Sequence, residues 1–149
     1  VAERDQFRID YLQALLLIAA TQEEKAGALP ADSKEQADTL TKATDSYKEV
    51  FEKYRTRMAG LYARMYQGRC LYKLKKTKEA SAIFTELLAN PDAPGAFHTL
   101  KVKVMCLAVE SWSPQSLHLE IVSKAMPLID LLRPGEDKEG DVMHFRFNV

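Results

Sequence analysis

Apolar residues recur along this chain at steps of three and four, the period of an α-helix. Nothing alternates with period two for long enough to demand a strand. From Glu3 to about Lys25 the steps run through Phe7, Tyr11, Ala14, Leu15, Ile18 and Gln22, until Gly27, Leu29 and Pro30 break them. Asp32 or Ser33 can cap a second helix, from about Lys34 to Tyr54, with Glu35 and Gln36 in its first turn. Its apolar face is Ala37, Leu40, Ala43, Tyr47, Val50, Phe51 and Tyr54. On its outer side, the pairs Lys48–Glu52 and Glu49–Lys53 stand one turn apart and add a few tenths of a kcal/mol each, to order of magnitude.

A third helix is predicted from about Met58 to Leu74. The turn Lys75-Lys76-Thr77 leads, with Thr77 as N-cap, into a fourth from about Lys78 to Ala89. Asn90 to Gly95, with two prolines and a glycine, reads as a loop. A fifth helix covers about Ala96 to Glu110, and Ser111 to Ser113 is a break. Ser113-Pro114 then opens a sixth helix, which runs to about Leu132 with a kink at Pro127. Residues 133–149 read as a linker with an acidic stretch, Glu136 to Asp141, followed by the start of a further helix. The fold class is all-α: six or seven antiparallel helices joined in pairs.

One glycine, Gly68, lies inside the third helix, where glycine costs about 1 kcal/mol relative to alanine. Close packing is the physical reason to keep it. Gly68 and Ala80 would let two helices approach, with Phe84, one turn after Ala80, filling the space beside them. The spacing Gly68, Ala80-x-x-x-Phe84, Pro91 resembles the tetratricopeptide repeat (TPR), a helix-turn-helix unit of about 34 residues. Leu61 to Asp92 covers one such unit. Arg64, Gln67 and Leu71 depart from it, standing where the pattern has tryptophan, leucine and tyrosine. Ala43-x-x-x-Tyr47 repeats the small–aromatic pair of Ala80 and Phe84. The resemblance implies a right-handed α–α superhelix of about three TPR-like hairpins over residues 1–132. A generic helical bundle is the alternative. The run from Tyr47 to Leu88 is also similar to the repeats of bacterial envelope scaffolds, which implies a place in the bacterial cell envelope.

In such units the A helices line a concave groove. The positions of Tyr62, Met65, Arg69, Tyr72 and Lys73 resemble the groove-facing ones, so the resemblance implies that these five contact a protein or peptide partner. Aromatics and arginine dominate binding hot spots, which suits them to recognition. The same residues could instead pack between helices; apolar spacing alone does not separate groove from core. Arg69 stands where the carboxylate clamp of chaperone-binding members would offer an asparagine, so the resemblance does not extend to chaperone tails.

Composition narrows the function further. Of 149 residues, 46% are hydrophobic and 28% charged, an ordinary globular balance. Lys plus Arg equals Asp plus Glu, at 21 each, which argues against a nucleic-acid binder needing a field of one sign. The basic run Lys73, Lys75, Lys76 and Lys78 is more often a solvated turn that offsets a helix C-terminus than a phosphate site. No apolar run approaches the roughly 20 residues that span a bilayer, so no membrane insertion is expected. The chain starts at Val1 and ends in HFRFNV, and so reads as a piece of something longer.

Catalytic patterns are missing. His98, His118 and His144 lie in separate segments with no second ligand at i+4, so no metal and no cofactor are expected. Cys70 and Cys106 sit in apolar helical surroundings and read as core thiols. The expectation is a non-enzymatic interaction or scaffold module. Its alternative is a purely structural spacer of a multi-repeat protein, with self-association through an apolar patch near Phe7 and Tyr11 or near Phe145 and Phe147. An enzyme or small-molecule binder comes third.

Overall fold

The computed structural model describes residues 2–91 and 93–112, together with Ser123 and Met126. Among the described residues there are five helices and no strand. They are α1 (Ala2–Gly27), α2 (Lys34–Lys53), α3 (Met58–Lys73), α4 (Thr77–Leu88) and α5 (Ala96–Trp112). The periodicity places all five within two residues at each end. The sixth helix, the linker and the segment with Phe145 and Phe147 lie outside the described residues. The chain divides into two compact units, Val1–Lys76 and Thr77–Val149. The segment 61–92 is therefore shared between them, Gly68 being buried in the first and Ala80 and Phe84 buried in the second.

In the first unit α2 packs against both α1 and α3. Its start is fixed locally. Ser33 is the N-cap, and its Oγ accepts from the Gln36 backbone N–H at 3.1 Å. The Gln36 side chain accepts from the Asp32 N–H at 2.9 Å and donates to the Ala26 carbonyl at 3.2 Å, tying the end of α1 to the start of α2. Leu40, Ala43, Tyr47 and Val50 of α2 are buried and Phe51 and Tyr54 half-buried, as the pattern predicts; Ala37 is exposed. Ala19 and Ala26 of α1 and Ala63 and Cys70 of α3 complete this core. The outer ion pairs form as expected, Lys53–Glu49 at 2.6 Å and Lys48–Glu52 at 3.9 Å.

Helix α1 departs from its expected pattern. Phe7, Tyr11, Ala14 and Ile18 are exposed. The face turned inward carries Leu12, Leu15, Leu16, Ala19, Glu23 and Ala26. At 100° per residue the two stripes lie roughly 120° apart, so the helix is apolar on two sides.

The α3 terminus explains the basic turn. Lys76 N–H donates to the Leu71 carbonyl and Lys75 N–H to the Tyr72 carbonyl, both at 2.9 Å. This is the Schellman pair, which needs a left-handed residue after the cap. Lys75 fills that position with φ of 64°. Lys75→Gly is expected to stabilise the protein by about 1 kcal/mol, because glycine adopts this conformation without the Cβ clash; a urea titration checks it.

In the second unit α4 packs on α5. Ala80, Ile83, Phe84 and Leu87 are buried on α4, and α5 is buried over most of its circumference through Trp112. The indole Nε1–H of Trp112 donates to Ser81 Oγ at 3.0 Å. The buried Lys101 donates to the Asn90 carbonyl at 2.7 Å, which anchors the loop before α5.

Candidate functional site

Two cations on α3, Arg69 and Lys73, stand one turn apart on one face. Like charges at that spacing repel unless an acid lies between them. The acid is Glu23 of α1, whose side chain is only 3% exposed. Arg69 grips it in the two-pronged manner of a guanidinium on a carboxylate, Nε to Oε1 and Nη2 to Oε2, each at 2.8 Å. Lys73 Nζ donates to Oε1 at 2.7 Å and Tyr47 Oη to Oε2 at 3.2 Å. One carboxylate thus joins α1, α2 and α3.

Aromatic rings line the cluster. The Arg69 guanidinium lies 4.5 Å from the centroid of Tyr66. Tyr66 in turn packs against Tyr47 at 5.4 Å and Tyr62 at 6.1 Å. At the other end of the unit, Arg64 and Arg55 sit over Phe51 at 4.7 and 5.4 Å.

Burial by itself would raise the Glu23 pKa. The hydrogen bonds and charges of Arg69 and Lys73 outweigh it and hold the carboxyl below its ordinary 4.5. Burial likewise works against the Arg69 charge, and the bond to Glu23 keeps its proton held more tightly than usual. Tyr47 is raised well above the ordinary phenol range by burial and then by the Glu23 charge. The same two causes push the Cys70 thiol up to about 12. A thiol so buried is surrounded as a small core hydrophobe is.

Chemically the cluster is closed. An ionised carboxylate offers about four acceptor positions. Arg69, Lys73 and Tyr47 supply four donated bonds to Glu23. That arrangement suits a structural tie, not a base awaiting a substrate proton.

Of the five residues expected to meet a partner, Tyr62 and Tyr72 are half-buried and Lys73 is exposed. Met65 is buried and Arg69 is half-buried, turned onto Glu23. Arg69 and Lys73 are brought together by that acid. Sequence reasoning does not reach Glu23, because the expected stripe along α1 runs through Gln22. Its signal was an acidic residue within the second apolar stripe, four after Ala19 and three before Ala26.

An open groove of about 570 Å³ lies between Arg8, Ile9 and Leu12 of α1 and Lys53, Tyr54 and Arg57 at the α2–α3 corner. Among the described residues no group of three His, Cys, Asp or Glu side chains is placed to share a metal ion. None of the described helices is long and apolar enough to cross a membrane.

The fold class reached by these observations is all-α. No protein-family model matches the chain, and neither a curated protein nor a solved structure matches it.

Proposed function

We propose that the chain is a non-enzymatic protein–protein interaction or scaffold module of TPR-like helical hairpins. The observation that carries this reading is the outer face of α1. Phe7, Tyr11, Leu17 and Ile18 are exposed on a helix whose other side already fills a core. Large apolar side chains clustered on a surface mark a packing site. The same face favours the structural-spacer form of the reading, in which neighbouring helices are the partner.

Docking of a peptide or helix along α3 is the second reading. Tyr62, Tyr72 and the outer side of Lys73 offer it area; Met65 and Arg69 are already engaged inside the protein. An enzymatic or small-molecule role has less support, since the ionisable cluster is satisfied internally.

Affinity capture with mass spectrometry separates these readings. Charge reversal at Arg69 is unsuitable, because it would set a carboxylate against buried Glu23 and disturb the fold. Two double variants serve instead, Phe7→Glu with Ile18→Glu, and Tyr62→Ala with Tyr72→Ala. A protein held by the wild type and by the tyrosine variant, but lost by the α1 variant, is the expected result. Loss with the tyrosine variant alone would move docking to α3. Identical captures with all three would defeat the interaction reading.

A further inference from the structure

The outer stripe of α1 has a specific spacing. Phe7, Tyr11, Ala14 and Ile18 follow steps of four, three and four, the alternation of a coiled-coil seam. Phe7 is 74% exposed, Tyr11 48% and Ile18 54%, while Leu17, at 67%, flanks the seam. Extended by the same steps, the seam reaches Arg4 at one end and Thr21 and Lys25 at the other.

Its composition decides what can cover it. A parallel second copy would set like against like: Tyr11 on Tyr11, Ala14 on Ala14, Arg4 on Arg4 and Lys25 on Lys25. The tyrosine layer would be overfull, the alanine layer would leave a void, and the end layers would repel. An antiparallel copy in which each residue meets the one whose number completes 25 removes all three faults. Phe7 then lies against Ile18, Tyr11 against Ala14, and Arg4 against Thr21. Every large side chain meets a smaller one, and the arrangement is two-fold symmetric, as a dimer contact requires. The helix dipoles oppose one another. Equal numbers of acidic and basic residues leave no net repulsion between copies.

We infer that the outer face of α1 binds a second copy of this chain, as an antiparallel helix pair centred between Leu12 and Gln13. The inference rests on reading that face as a packing surface. The exposed parts of two aromatic rings from each copy, with those of Leu17 and Ile18, make a small contact, under the low end of specific interfaces at about 1,200 Å². The dimer is therefore concentration-dependent.

Sedimentation velocity on the 149-residue chain over a concentration series tests it. The wild type is expected to pass from monomer to dimer. Phe7→Glu should weaken association at least about 30-fold, the scale of losing one hot-spot side chain. At concentrations where the wild type is monomeric, its thermal unfolding followed by circular dichroism should not change, since Phe7 lies outside the core. Orientation is read with Arg4→Cys and Thr21→Cys, both exposed positions; the native Cys70 and Cys106 are buried. Mixed and oxidised, the two variants should cross-link to each other. Neither should cross-link to itself, because in the antiparallel pair the two copies of position 21 stand about 25 Å apart along the axis. A chain monomeric at every concentration, a dimer indifferent to Phe7→Glu, or self-cross-linking of either variant overturns the inference. A monomer that still captures a different protein through α1 would overturn it and leave the broader interaction reading standing.

Discussion

Arg69→Met should lower the stability of the first unit by about 3 kcal/mol, the lower end of the range for breaking a buried ion pair. The lower end applies because Lys73 remains on Glu23 Oε1 and Arg69 is half-exposed. The loss comes chiefly from the acid left behind: Glu23 keeps its burial and loses two of its four donated bonds. A triple change, Glu23→Leu with Arg69→Met and Tyr47→Phe, removes the charge and the Arg69 and Tyr47 donors, leaving only solvent-accessible Lys73 and the weak thiol donor of Cys70 without the acid. Such apolar replacement of a buried charged network is often neutral or stabilising, so the triple variant should recover most of the loss. Urea unfolding of the three proteins compares them directly.

The pH dependence follows with a definite sign. Glu23 has its pKa lowered in the folded chain from the ordinary 4.5. Its contribution is fully present above that ordinary value and is lost as pH falls through the lower folded value. Wild-type stability therefore rises with pH on the acid side of 4.5. In Arg69→Met the main donor holding the pKa down is gone and burial pulls it upward, so that rise should shrink. An unchanged acid limb would show that Arg69 is not the residue that keeps Glu23 ionised.

Gly60→Ala is expected to cost a comparable amount, about 3 kcal/mol, at the upper end of ordinary overpacking. A Cβ at Gly60 would stand 2.0 Å from the Tyr54 carbonyl oxygen and 2.6 Å from its carbon. Both are backbone atoms, and the same oxygen accepts from the Arg57 N–H at 2.9 Å to close the α2–α3 corner. No rotamer change relieves the clash; the corner itself must open. Gly27→Ala is the control. Nothing lies within 4 Å of its added methyl, and it ends a helix, so that variant should be neutral or slightly more stable. Equal effects at the two glycines would mean that the corner tolerates the methyl.

Helix positions were legible because the apolar steps of three and four are local and the breaks carry glycine, proline or a cap. Asp32 or Ser33 could be read as the cap from their own neighbourhood, and the fold uses Ser33, bonded to the Gln36 N–H. The inward side of α1 was not legible. Two apolar stripes share that helix, and choosing between them depends on which one meets α2, a contact made between residues ten to twenty-four positions apart. Glu23 stayed hidden for the same reason. Its three partners come from two other helices, and an acid on α1 reveals nothing of them locally. The constraint on Gly60 was equally invisible, since it depends on where a carbonyl six residues earlier is aimed. The resemblance marks Arg69 and Lys73 as partner contacts; in the fold both donate to Glu23 of the chain itself.

The distribution of chromophores gives the two units separate optical reporters. All six tyrosines, Tyr11 to Tyr72, belong to the first unit, and the single tryptophan, Trp112, is buried against α4 in the second. Tryptophan emission, excited beyond the tyrosine band, therefore follows the second unit alone. In a Trp112→Phe variant, near-ultraviolet dichroism of the Tyr47–Tyr66–Tyr62 cluster follows the first. Coincident unfolding curves would establish that the units melt as one cooperative body, and separated curves would assign each stability to its own half of the chain.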